Sequence, residues 1–236
     1  MTLMNRKRLL RPRHLFLSCG LFILIYFGAN YSWSHAAIAG AVNGEECPAH
    51  LVDKAEYSVA NLLGEMTANP WVYCMDQPAA SLSVQYGTTR FAPLLPSIII
   101  LGTLGQNPDV ASHEYVHAEV AERTSALLRT YRIPTWFDEG LAMQVDTRAE
   151  FDTNALRRLV VEYRSTPLQL GSMSTPSEFF GHGEKSVLHY ALSKCVVAGA
   201  ISEWGINAVR DLLVDVRWRS AFPSDKFQPF VEICIT

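Results

Sequence analysis

The feature that most constrains this chain is the run Ser112-His113-Glu114-Tyr115-Val116-His117, which carries His-Glu-x-x-His. On an α-helix, residues four apart lie roughly 40° apart around the axis and about 6 Å along it. His113 and His117 therefore project from one face and can share one ion. Glu114 is adjacent and can reach water at that ion without ligating it, which is what a general base must do. The flanks predict the helix. Asn107-Pro108 supplies an N-cap and a proline at the first helical position. Val110, Val116, Val120, Leu127 and Leu128 then give an apolar face running to Arg129 or Arg132, where Ile133-Pro134 stops it.

A lone His-Glu-x-x-His is a weak signal. Pro134-Thr135-Trp136-Phe137-Asp138-Glu139-Gly140-Leu141-Ala142 strengthens it. A helix from Pro134 to about Val145, after a short loop at Thr130–Ile133, folds back on the first and carries Glu139 inward. A carboxylate buried beside two histidines is costly unless it meets a cation. The ordinary alternative is an exposed helical glutamate.

The sequence HEYVH, with WFDEGLA placing its Glu 22 positions after His117, resembles the gluzincin metallopeptidases, and within them the peptidase MA-like group. The resemblance covers about residues 97–213. It implies an α+β fold, with a small N-terminal sheet, helices carrying the two motifs and a helical C-terminal part. It further implies Zn2+ held by His113, His117 and Glu139, Glu114 as general base, and a peptide or protein substrate. Tyr190, in His189-Tyr190-Ala191-Leu192-Ser193, resembles the position that donates a hydrogen bond to the oxyanion; His189 and His182 are its rivals. The chain departs from the pattern at Met143, where the thermolysin-like branch has a carboxylate supporting a zinc histidine. Asp138 is the candidate substitute. The aminopeptidase signature GxMEN is absent. A non-catalytic, gluzincin-like binding or assembly module is the alternative function, and an envelope scaffold without metal is another.

Charge separates a targeting segment from the rest. Residues 1–36 hold Arg6, Lys7, Arg8, Arg11 and Arg13 and no acid, leaving 15 basic against 23 acidic residues, a formal −8. That balance argues against a nucleic-acid partner. The apolar run Leu15–Phe27, after the basic cluster, reads as a cleaved signal peptide or an uncleaved single-span anchor within residues 1–39. Either puts a domain at 40–236 on the periplasmic or extracellular side, with membrane contact through the N-terminal segment only. Cys47, Cys74, Cys195 and Cys234 suit two disulfides there, with Cys47–Cys74 and Cys195–Cys234 the favoured pairs and four buried thiols the alternative.

The remaining pattern is mostly helical. Residues 47–66 repeat at helical spacing. Strands are expected at Trp71–Met75, at Ser81–Tyr86 from its alternation, and at Ser97–Leu101, whose apolar run marks it as central. Arg90–Pro96 reads as a loop. A strand beside the motif helix could offer its edge to a substrate backbone. Helices follow at Asp152–Arg164, Glu184–Trp204 and Ile206–Val216, with a loop-rich stretch at Thr166–Gly183. The tail from Pro223, with Phe227, Phe230, Val231 and Ile233, is expected to dock on the domain.

Overall fold

Ile98, Ile99, Ile100 and Leu101 are all fully buried, and the strand that contains them organises a small sheet. This computed structural model describes residues 47–75, 84–92, 95–125, 129–163, 168–181, 183–215 and 219–236. Strand β1 is Trp71–Cys74, β2 is Gly87–Ala92 and β3 is Leu95–Leu101, in the order β1-β3-β2. β3 pairs with β1 in parallel, Trp71 opposite Ile98, and with β2 antiparallel, Gly87 opposite Leu101. The apolar run is therefore the central strand, as its composition required.

The second strand differs from expectation. It lies at Gly87–Ala92, Val84–Tyr86 are not strand, and it uses part of the stretch Arg90–Pro96 that read as a loop. Residues 81–83 lie outside the described residues. Gly-Thr-Thr-Arg-Phe-Ala has little apolar alternation, so its pairing comes from β3 rather than from its own pattern. A register shift between Arg90 and Ala92 marks where it irregularly joins β3.

Helix α1, Ala49–Leu63, precedes the sheet and buries Leu51, Ala55, Val59 and Leu63 on one stripe. Helix α2, Pro108–Thr124, carries the histidine motif. Asn107 caps it, its side chain accepting from Val110 N at 3.1 Å, with Pro108 in the first turn. Every residue from Val110 to Ala121 is buried, so α2 is a core helix covered on all sides. It packs against α1, β2 and β3.

α2 ends earlier than the apolar pattern indicates. Ser125 adopts φ 76°, which breaks the helix, and a short helix α3, Arg129–Arg132, stands where a loop was expected. Leu127 and Leu128 lie outside the described residues. Helix α4, Thr135–Ala142, then folds back against α2. Helix α5 is Thr153–Glu162, capped by Asp152, and a short helix α6, Pro176–Phe180, interrupts the loop-rich stretch. Helix α7, Ser186–Trp204, packs on α4, and α8, Ile206–Asp215, follows the turn at Gly205. Gly140 is where α4 and α7 meet: a Cβ there would lie 2.7 Å from Ser193 O and 2.6 Å from a Val197 methyl.

The tail forms helix α9, Ser224–Ile235. It docks through Phe227 and Val231, whereas Ile233 points to solvent. Both favoured disulfides are present, Cys47–Cys74 tying the residue before the cap of α1 to β1 and Cys195–Cys234 tying α7 to α9. Two such bonds indicate an oxidising, periplasmic or extracellular setting. The architecture is α+β and helix-rich. Among the described residues no helix is long and apolar enough to cross a membrane, and the segment 1–39 lies outside them.

Candidate metal centre

Three buried side chains converge where α2 and α4 cross. His113 and His117 come from one face of α2, Glu139 from α4. The two imidazole Nε2 atoms are 3.1 Å apart, and Glu139 Oε2 is 3.3 Å from each. For a tetrahedral ion at the 2.0–2.1 Å bond lengths of zinc, neighbouring ligand atoms stand about 3.3–3.4 Å apart. The triangle thus has the dimensions of three corners of such a coordination shell. It is the single group of this kind among the described residues, and it can hold a metal ion.

The hydrogen bonding favours a cation as well. Glu119, also buried on α2, accepts from Thr67 N, Ala68 N, Thr67 Oγ1 and Arg123 Nε. That carboxylate is fully satisfied. Glu139 Oε2, equally inaccessible, is met among the described residues by the two imidazoles alone, each at 3.3 Å. A buried carboxylate without donors is expensive unless a positive charge meets it. Burial works against charge at His117, yet Glu139 and then Asp138 overcome it and push the imidazole up to about 10. Burial likewise opposes ionisation of Glu139, but His117 and His113 hold its carboxyl well below the usual range. The field of the site therefore favours positive charge between these groups.

Asp138 takes the supporting place foreseen for it. Its Oδ1 lies 3.1 Å from His117 Nδ1, which leaves Nε2 for the metal side. His113 differs, because its Nδ1 is buried with no partner among the described residues. Met143, at the position where the thermolysin-like pattern has a carboxylate, is fully buried. Sequence reading missed Arg129, whose Nη2 donates to Asp138 Oδ2 and stands 2.8 Å from His117 Nδ1. Nothing in an isolated Arg at a helix end signals this role, since it depends on where α4 returns.

Glu114 follows His113 on α2, its side chain packed against β2. Thr89 Oγ1 donates to its Oε2 at 2.6 Å. Gly87 leaves room for it: a Cβ there would come within 2.8 Å of Glu114 Cγ and Oε1 and of a Val110 methyl. β2 is an edge of the sheet and runs beside the motif helix.

Tyr190, on α7, is brought to the site, its ring centroid 6.1 Å from that of His113. Burial first, then Glu139 and Glu114, raise its phenol well above the usual value near 10. The hydroxyl stays protonated and can donate. His189 points elsewhere, its Nδ1 2.8 Å from Phe179 O. His182 lies outside the described residues. The structure thus gathers His113, Glu114, His117, Glu139, Asp138 and Tyr190 into one place. Searched against family models, curated proteins and solved structures, the chain matches none of them.

Proposed function

We propose that this chain is a zinc-dependent hydrolase of peptide bonds, with a centre of the gluzincin kind. The observation that carries the reading is the triangle of His113 Nε2, His117 Nε2 and Glu139 Oε2, at 3.1–3.3 Å edges, with Glu114 following His113 on the same buried helix. Zinc, when bound, supplies a Lewis acid that acidifies water and polarises a carbonyl. Glu114 takes the proton of the attacking water on a carboxylate oxygen and passes it to the leaving amine. Thr89 holds that carboxylate in place through Oε2. Tyr190, kept neutral by burial, donates to the oxygen that gains charge as the carbonyl is attacked. The edge of β2, unpaired among the described residues, receives the peptide backbone as an added strand.

Metal content tests the reading first. Chain purified from an oxidising compartment is expected to carry about one zinc, measured by mass spectrometry, and to lose it in His117→Ala and in Glu139→Ala. A folded wild type that takes up no zinc, even when offered it, removes the proposal. Zinc held by the triad without turnover of any peptide in a library supports the binding or assembly module instead.

The packing of Gly87 against Glu114 gives a second expectation. Gly87→Ala adds a methyl where Glu114 and Val110 already stand, so the carboxylate has to shift. Zinc content should stay at the wild-type level, while kcat/KM for a peptide substrate falls by roughly 10²-fold, the scale for small misplacements of a reacting group. Wild-type kcat/KM in this variant excludes the placement of Glu114 as base.

A further inference from the structure

The two imidazoles of the centre are supported unequally. His117 Nδ1 has Asp138 Oδ1 at 3.1 Å, whereas His113 Nδ1 has no partner among the described residues. Holding of the imidazoles from behind therefore falls on the His117 side. Asp138 alone could rotate and present either oxygen, or none, to the imidazole. Arg129 stands at its other oxygen. The guanidinium occupies Oδ2 through Nη2, which leaves Oδ1 facing the histidine. Arg129 is itself held. Its side chain is only 11% exposed, and its Cζ sits 4.5 Å from the centre of the Phe91 ring on β2, within cation–π range. Among the described residues its Nε has no partner, and its Nη2 serves the Asp138–His117 pair.

We propose that Arg129 is a positioning residue for the metal centre: stacked on Phe91, it locks Asp138 in the orientation that aims His117 Nε2 at the ion. The inference rests on the metal reading above. It differs in sign from a purely electrostatic role. Removing a positive charge beside Asp138 would make the carboxylate a stronger partner for His117 and tighten metal binding. Removing a positioning group loosens it.

The test is zinc affinity of the full chain by chelator competition, with the visible spectrum of the Co2+-loaded protein as a report on ligand geometry. Arg129→Met is expected to weaken zinc about 10-fold, the lower end of what loss of outer support costs, and to shift the Co2+ bands. Arg129→Lys keeps the charge but not the fork, and should recover part of the loss. Asp138→Asn should weaken zinc at least as much. Adding Arg129→Met to Asp138→Asn should cost nothing further, because the arginine acts through the aspartate. Unchanged or tighter binding in Arg129→Met, or full additivity in the double variant, overturns the proposal. If circular dichroism shows that Arg129→Met does not fold, Arg129→Lys alone and on the Asp138→Asn background decides by the same criteria. Wild type without zinc removes the metal reading and this inference together. Wild type with zinc and variants that do not respond removes this inference alone.

Discussion

Glu114→Gln is expected to keep about one zinc per chain and to lower peptide hydrolysis by about 10²–10⁴-fold, the usual contribution of a positioned acid–base group. The change is isosteric. Glutamine still packs under Gly87, and its carbonyl oxygen still accepts from Thr89, so the helix and the ligand triangle are untouched. What disappears is a group able to take a proton. Metal analysis and a peptide assay on the same preparation read the two halves of the expectation. Full activity in the variant would sink the assignment of Glu114, and loss of zinc would mean that this carboxylate ligates rather than acts as base.

The second large effect concerns stability. Trp136→Ala should destabilise the fold by about 3–5 kcal/mol, the range for emptying a large buried aromatic site. Trp136 is fully buried and packs edge-on against Phe222 and Phe227, at centroid distances of 5.8 and 5.0 Å. Those rings belong to the C-terminal segment, so the tail forms one wall of the cavity that the substitution would open. Trp136 also lies on α4, two residues before Asp138 and three before Glu139. Zinc affinity should fall with stability. Urea titration at fixed zinc gives the first number and chelator competition the second. A shift in the urea midpoint worth less than about 1 kcal/mol would show that the tail closes over the cavity, or that the rings contribute little.

The centre was more legible in the sequence than the frame around it. The histidine pair and Glu139 follow from helical periodicity and a short return of the chain, and both are local rules. The cap at Asn107, the central position of β3 and the cysteine pairs followed from similarly local signals. The break after α2 did not. Ser125 takes a left-handed conformation that glycine or asparagine usually marks, and Leu127 and Leu128 extend the apolar pattern past it. β2 was displaced because its residues carry no alternation of their own; β3 provides the pairing that defines it. Arg129 and Thr89 were invisible for a related reason. Each matters through one partner far along the chain, Asp138 for the arginine and Glu114 for the threonine, and no spacing rule connects them.

The two disulfides stand at either end of the chemistry and do not cross it. One closes at Cys74, the other opens at Cys195, and every residue assigned to the centre lies between them. Among the described residues the candidate ligands therefore carry no covalent tether, while the outer elements are fastened as hoops fasten a barrel. Reducing agents would slacken the hoops and leave the ligand atoms chemically intact. A preparation handled under thiol reductant can therefore keep its amino-acid inventory and still lose the fixed frame that sets the spacing of its donors.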